Sequence, residues 1–465
     1  MGRAWLVACS FAVGIAMMER ALSPAVLGVV GIASAMGVAL RPAIVRLVVI
    51  LVVAAGAGSF IATLHARRAE PVRLLASTYP RCDLEGVISQ RSGIGTFVRV
   101  RSLRCPEPLP AGAEVLVDAT GELGGIVRAH GLLTPLGRAG IDAVRARAGA
   151  AAAFRSLRVR TGPPETHLHA SAAAVRKSLR SATRGRPAET AGLLRGLAIG
   201  ETDLIAADDA VLLRNAGLTH LVAVSGTNVT IVLTAVAATI GRASRRVRLC
   251  VCATALAFFV VIVGPEPSVL RAAAMGAVGL VALTAGTRTD PLNALALAVV
   301  GVLAIRPPMV HALGLHLSVA ATAGICLWAA SIEGWIGIGP RWLRAATAVT
   351  VAAQLAVAPL LVGAFGEVSI AGLPANVLAA PAVAPATVLA LAAAIVGLVW
   401  MTGAEALIAL AAPCADWIIL IGRAFGGADA ATVGVPRWGA WALAAGFCCL
   451  VARRAWFAGR SMEPA

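Results

Sequence analysis

Residues Ala345–Ala364 read AATAVTVAAQLAVAPLLVGA, with no charged side chain and only Thr347, Thr350 and Gln354 polar. A helix needs about 20 consecutive, mostly apolar residues to cross a bilayer, and this stretch supplies them. Runs of the same kind occupy Leu218–Ile240, Leu249–Val263, Val269–Ala285, Leu292–Ile305, Leu313–Ala330, Ile370–Trp400, Ala404–Ile421 and Trp438–Val451. Three more open the chain, at Trp5–Met18, Pro24–Leu40 and Ala43–Leu64. The 465 residues are 59% apolar and 14% charged, with mean hydropathy +0.85. Soluble domains are about 45–50% apolar and about 25% charged, so a soluble multidomain protein is excluded. The expected fold is a polytopic α-helical membrane protein of about 12 spans. The first run has no small-residue cleavage site and more spans follow, so it reads as a transmembrane helix rather than a signal peptide.

Between the third and fourth runs the composition changes. From His65 to about Pro164 the chain is rich in Arg and Gly, with short alternating segments. Cys82–Gln90 and Thr96–Cys105 read as two strands around the turn 91–95, and Glu114–Thr120 and Gly125–His130 as further short strands. A β-rich stretch of this size fits a small barrel. Centring the turn between Gly93 and Ile94 pairs Gln90 with Phe97 and Ile88 with Arg99, and brings Cys82 opposite Cys105. Directly opposed residues have Cβ atoms about 4.5–5.5 Å apart, which a non-hydrogen-bonded pair can close into a disulfide. The other cysteines fall mostly in or beside apolar runs and read as small core residues.

Three helices are expected next. Ala170–Thr183 is basic and amphipathic, with Arg176, Lys177 and Arg180 beside Val175 and Leu179. Pro187 can start a second helix that Gly200 ends, and Thr202 or Asp203 can cap a third that Gly217 stops. None is apolar enough to span, and they read as surface helices. The organisation is therefore 1–64, N-terminal transmembrane helices; 65–165, β domain; 166–216, amphipathic helices; 217–452, transmembrane domain; 453–465, tail.

The net charge of +17 is carried almost entirely by arginine, Lys177 being the sole lysine. It serves as orientation signal, phosphate binder or both. The loop with Arg242, Arg245, Arg246 and Arg248 is placed in the cytoplasm by the positive-inside rule. Alternation from there puts Arg288, Arg341, Arg344, Arg453 and Arg454 inside, together with Arg3, Arg41 and Arg46. Pro265, Glu367 and the β domain fall outside, with both termini cytoplasmic. The plasma membrane is the expected location, and there oxidation of Cys82 and Cys105 outside the cell persists.

The most distinctive stretch runs from Gly192 to Glu201 (GLLRGLAIGE) and resumes at Asn215 as NAGLTHLVAVSGTNV, ending at Val229. With PSVLRAA from Pro267, the segment Gly314–Ala320, Phe365–Ser369, and Pro374, Asn376 and Pro381, it resembles the ComEC competence-protein family. The resemblance covers about Ala188–Ala394 and extends loosely back over the β domain, which that family builds as an OB fold. It implies a membrane channel for single-stranded DNA entering the cell during natural transformation. It also implies work beside a separate DNA receptor, a nuclease, and a cytoplasmic ATPase or single-strand-binding protein. Thr227 and Asn228 stand where the family often has Leu-His, His316 where it has Gln, and Glu201 where it has Arg. The metallo-β-lactamase-like domain of many members has no counterpart after the last run.

The residues themselves offer no enzyme. No HxHxDH cluster occurs; His167 and His169 share its first spacing but read as a solvated pair. Ser225 and His220 invite a nucleophile–base reading, yet the string AVSG lacks the GxSxG elbow. Lys177 lies in VRKS, which is not a P-loop. No cofactor or metal is expected. Polar groups inside spans are costly in lipid and face the bundle interior or a wet cavity. The candidate DNA pathway is accordingly His220, Ser225, Gly226, Asn228, Arg271, His316, Gln354 and Asn376. The other reading of these groups is interhelical hydrogen bonding. The run 370–400, with Pro374, Pro381 and Pro385, is either a broken helix lining the pathway or a proline-kinked one. On the β domain, Arg91, Arg99, Arg101 and Arg128 are the candidate DNA contacts, among arginines that include Arg155, Arg158 and Arg160. Phe97, Phe154 and Tyr79 are the main aromatic side chains there for base stacking. A solute or anion permease with an exterior docking domain is the alternative function.

Overall fold

The computed structural model describes residues 69–436, except 79, 93–94, 106–107, 110–111, 138–141, 143–144, 146–149, 223–225, 242, 285–289 and 429–430. The expected spans at 5–18, 24–40, 43–64 and 438–451 lie outside the described residues, as does Tyr79. The chain divides into two compact units, Met1–Val175 with Val236–Leu315, and Arg176–Ala235 with His316–Ala465.

The first unit contains the β domain. Its strands are β1 (Arg81–Ser92), β2 (Gly95–Arg104), β3 (Pro108–Leu109), β4 (Glu114–Val117), β5 (Gly125–Thr134) and β6 (Ala152–Pro164). The sheet order is β1-β5-β6-β4-β2-β3, and β1 also pairs with β2, closing a five-stranded barrel with β3 as an appendage. The β4–β6 pairing is parallel and the other pairings are antiparallel. This is the Greek-key barrel of OB type. Alternation dictates its filling. Leu84, Ile88, Val98, Val100, Val115, Val127, Leu133 and Phe154 turn inward and are buried. Ala69, Val72 and Ala76, from the helical residues 69–76, pack into the same core. Each fully buried Val, Leu or Phe contributes about 1.5–3 kcal/mol.

The first hairpin keeps the expected ends but changes its middle. Gln90 faces Phe97, yet Arg99 faces Val87 and Ile88 faces Val98. One irregularity falls between Ile88 and Gln90 and a second between Glu85 and Gly86. The first adds a residue to β1 and the second adds one to β2, so the two cancel and Asp83 returns to Arg104. Cys82 and Cys105 are joined by a disulfide with Cα atoms 4.3 Å apart. Strand β6 has no counterpart among the expected strands, because Arg155, Arg158 and Arg160 break its apolar pattern.

Among its described residues the first unit also holds α6 (Arg245–Val263), α7 (Pro267–Thr284) and α8 (Pro291–Ile305), followed by a 3-10 turn at Pro307–His311. Ser244 caps α6 by accepting from the Val247 amide, and Asp290 caps α8 by accepting from that of Leu292.

Helix α1 (His167–Ala182) begins in the first unit and passes into the second at Arg176. It is followed by α2 (Ala188–Ile199), α3 (Ala207–Asn215), α4 (Thr219–Val222) and α5 (Gly226–Ile240), whose last residues belong to the first unit. Later come α9 (Leu313–Trp335), α10 (Arg341–Phe365), α11 (Gly372–Val396) and α12 (Met401–Gly426), with the short strands β7 (Glu367–Ser369) and β8 (Thr432–Gly434) paired antiparallel. Helix α11 is continuous through Pro381 and Pro385. Helix α2 corrects the expectation of a surface helix. It buries Leu193, Leu194, Leu197 and Ile199 and packs on α11 and α12. Its apolar residues surround the axis instead of forming one stripe, which is the pattern of a buried helix. Helix α3 begins at Ala207 rather than at Thr202 or Asp203.

Five described helices are long and apolar enough to cross a membrane: α6, α9, α10, α11 and α12. Three shorter apolar helices, at Asn228–Ile240, Pro267–Leu280 and Pro291–Ile305, occupy other expected spans. Trp335, Trp342 and Trp400 sit exposed at helix ends, the position of interfacial tryptophan in membrane proteins.

The disulfide closes the open end of the first hairpin, and its loss removes about 3 kcal/mol by the loop-entropy relation. Peptides from alkylated, unreduced protein are expected to contain Cys82 linked to Cys105. Recovery of both thiols in alkylated form would contradict the bond.

Candidate functional site

Two places in the chain gather the polar residues that sequence reasoning singled out. The first lies in unit one, where the barrel meets the ends of its own unit's helices. A cleft of about 760 Å³ is lined by Ser89, Arg99 and Arg101 of the barrel, Leu123 and His169, and Val260 and Gly264 at the end of α6. Its arginines are not bare. Arg99 lies 3.5 Å from Glu114, and Arg101 makes a two-pronged ion pair with Glu165 that raises its pKa. Arg128, on the β5 side of the barrel, pairs with Glu85 at 3.1 Å. Arg91 is the penultimate residue of β1 and is engaged with its surroundings. The phosphate-binding capacity of Arg99, Arg101 and Arg128 is thus partly spent on carboxylates. Phe97 and Phe154 are both buried, at 0% and 2% exposure, so neither ring is open to a stacking base.

Beside the cleft, Arg306 closes α8 and reaches the barrel. Its Nη2 stands 2.8 Å from Glu114 Oε2, and its Nη1 donates to Gln90 Oε1 at 3.0 Å. The side chains of Arg306 and Glu114 are only 14% and 13% exposed. Gln90 also hydrogen-bonds Glu266, in the loop between α6 and α7. Burial raises the pKa of Glu266, against the opposing pull of Gln90 and Arg306. Glu114 thus serves two arginines at once, the exposed Arg99 and the enclosed Arg306. Arg306, Gln90, Glu114 and Glu266 were not singled out from sequence, because nothing local marks four residues from four separate segments as neighbours.

The second place lies in unit two. Asn376 donates its amide to Gly217 O at 3.3 Å and to Gly372 O at 2.7 Å. Ser369 donates its hydroxyl to Asn215 O at 2.5 Å, and Asn215 in turn donates to Gly426 O at 3.3 Å. Gly217 has φ +66°, and a Cβ there would lie 2.9 Å from Gly372 Cα. A Cβ on Gly372 would come 2.6 Å from Gln354 Nε2. The sequence blocks around Asn215-Ala216-Gly217, Ser369 and Asn376 therefore converge on one tight junction. Asn228 is fully buried and donates to Leu197 O at 3.0 Å, tying α5 to α2.

The remaining candidates are dispersed. His220 sits in α4 and bonds to the backbone of Gly217. His316 is in α9. Arg271, in the other unit, is buried in α7 with Nη1 3.6 Å from Met275 Sδ. Gly226 opens α5, and Ser225 lies outside the described residues. His169 Nδ1 lies 2.7 Å from the Thr166 hydroxyl at the start of α1. Among the described residues no group of three or more His, Cys, Asp or Glu is arranged to hold a metal ion.

A family profile described as Competence protein matches residues 197–459. No curated protein and no solved structure matches the chain.

Two variants test these junctions. Ala at Gly217 must adopt a left-handed backbone against Gly372, and the cost is about 1–3 kcal/mol; a lowered thermal midpoint in detergent is expected, and an unchanged one would contradict the close approach. Glu266 binds a proton more tightly folded than unfolded. Its contribution to stability is therefore present at low pH and lost as pH rises from the ordinary carboxylate range through its folded pKa. Glu266→Gln should raise the thermal midpoint at pH 7, flatten its rise on mild acidification, and leave the midpoint at acid pH nearly unchanged. A variant equally pH-dependent would contradict the assignment.

Proposed function

The chain belongs to the competence protein family, and from that premise we propose that it is a membrane passage through which single-stranded DNA enters the cell. The observation that carries the reading is the joint presence of this family's segment, apolar helices long enough to span, and a barrel of a fold that binds oligonucleotides. The barrel stands outside and receives the strand; the helices conduct it inward. The positive-inside distribution of arginine supports that orientation. Arg271, enclosed within its unit, faces the backbone phosphates as a fixed charge, since phosphate crossing a low-dielectric region needs donors in place of water. His220, Ser225, Gly226, His316 and Gln354 are the further lining candidates. Asn228 and Asn376 hold the frame of that passage through the bonds described above. The chain does no covalent chemistry; a receptor, a nuclease and an ATPase or single-strand-binding protein are separate partners in the same membrane and cytoplasm.

Deletion of the gene should abolish transformation by added DNA, and a plasmid copy should restore it. Unchanged transformation in the deletion strain would overturn the reading in favour of a solute or anion permease.

A further inference from the structure

The outer face of β5 and β6 is charged differently from the rest of the barrel. The register places three rows across β1, β5 and β6: Glu85–Arg128–Arg160, Asp83–His130–Arg158 and Arg81–Leu132–Arg155. In the first two rows the β1 acids are taken by β5, with Arg128 3.1 Å from Glu85 and His130 2.8 Å from Asp83. No acid in these rows remains for β6. Arg155, Arg158 and Arg160 are all exposed, and none has a carboxylate within salt-bridge distance among the described residues.

The alignment of the three depends on a bulge. Side chains alternate along a strand, so Arg155 would face away from Arg158 and Arg160 in a regular β6. The register shifts between His130 and Gly131, leaving Leu157 as the extra residue and returning Arg155 to the outer face opposite Leu132. Gly131 allows the shift, because a Cβ there would collide with the Arg155 carbonyl. The arrangement is costly as structure. Arg128 stands directly opposite Arg160, and like charges in direct cross-strand opposition are destabilising. Beyond Phe154 the far edge of β6 has no strand partner among the described residues, since β4 pairs with Ala152, Ala153 and Phe154. The bulged Leu157 is 62% exposed, an apolar surface beside the arginines.

We infer that this β5–β6 face, and not the cleft with Arg99 and Arg101, is the barrel's docking site for the phosphates of a single strand, held by Arg155, Arg158 and Arg160. The inference rests on the DNA-passage reading for the identity of the polyanion. Its own argument is charge complementarity: the cleft arginines are already matched by Glu114 and Glu165, whereas the β6 arginines present unmatched positive charge in a line. Successive outward residues on a strand lie about 6.6 Å apart, a spacing that suits the phosphates of an extended single strand. Without exposed aromatic rings in the line, binding is phosphate-driven and tolerant of sequence.

The test uses the full chain in detergent and a fluorescent oligothymidylate, titrated by anisotropy between about 50 and 200 mM salt. Replacing Arg155, Arg158 and Arg160 together by Gln should weaken binding at low salt by roughly tenfold or more, and make the slope of log affinity against log salt shallower by about 2, at about 0.7 per phosphate contact. Replacing the same three by Lys should restore the slope, and the pair Arg99→Gln and Arg101→Gln should leave it nearly unchanged. An unchanged slope in the triple Gln variant would overturn the inference, and so would an equal loss in the Arg99/Arg101 pair. Loss of binding only to vesicles of anionic lipid, with the oligonucleotide bound as before, would also overturn it and make the face a lipid contact. The two readings fail separately. If the wild-type gene restores transformation while the triple Gln variant binds normally, only the docking face falls; if deletion leaves transformation unchanged, the passage falls whatever the slope.

Discussion

A chain this apolar must satisfy each polar group that it carries into its helical mass, because an unpaired amide or hydroxyl there costs several kcal/mol. The second unit shows what that constraint produces. Asn376, Asn228, Asn215 and Ser369 each bond to a backbone carbonyl of a different segment. Those carbonyls belong to Gly217, Leu197, Gly426 and Asn215, so the polar side chains act as cross-braces between helices that are otherwise held by Ala and Leu. Glycine makes the braces possible: the turn at Gly217, with its left-handed φ, approaches the start of α11 so closely that a Cβ on Gly217 would meet the Gly372 backbone. The same logic governs the first unit, where Arg306 is enclosed only because Glu114 and Gln90 meet it. Removing one partner of such a pair leaves an uncompensated buried charge, a loss of about 3–5 kcal/mol when burial is complete.

The barrel obeys the opposite demand. It must carry charge at its surface while keeping a dry interior, and strand alternation divides the two. Its distribution of charge is uneven. Around the cleft and on β5, arginines are paired with Glu114, Glu165 and Glu85, and they contribute to holding the fold. On β6 they are not. Because Glu114 faces both Arg99 and Arg306, the side of the barrel that meets the helices is committed to anchorage, which leaves the β5–β6 face for an outside partner.

Much of this was legible in the sequence. Long apolar runs gave helices at α6 and α9 through α12, because length and lack of charge are enough to specify a spanning helix. Pro187 and Gly200 marked the ends of α2, because fixed φ and a left-handed cap are local effects. The hairpin ends were legible although its register was not, since the two bulges cancel and alternation cannot reveal them. What escaped was non-local. Strand β6 is hidden by its arginines, and the expectation of a surface position for α2 fails because the helices that enclose it, α11 and α12, are remote in sequence. Asn228 and Asn376 stand out in the sequence as polar groups inside apolar runs, but their carbonyl partners lie 31 and 159 residues away, beyond any motif.

The central claim is that the chain conducts a single strand from the barrel side inward. Purified full-length chain in a planar bilayer provides the most direct test, with ionic current recorded while DNA is added to either side. Single-stranded oligonucleotides on the barrel side are expected to interrupt the current, with duplex DNA of the same length much less effective. A current that small anions carry selectively, and that single strands on neither side disturb, would contradict it.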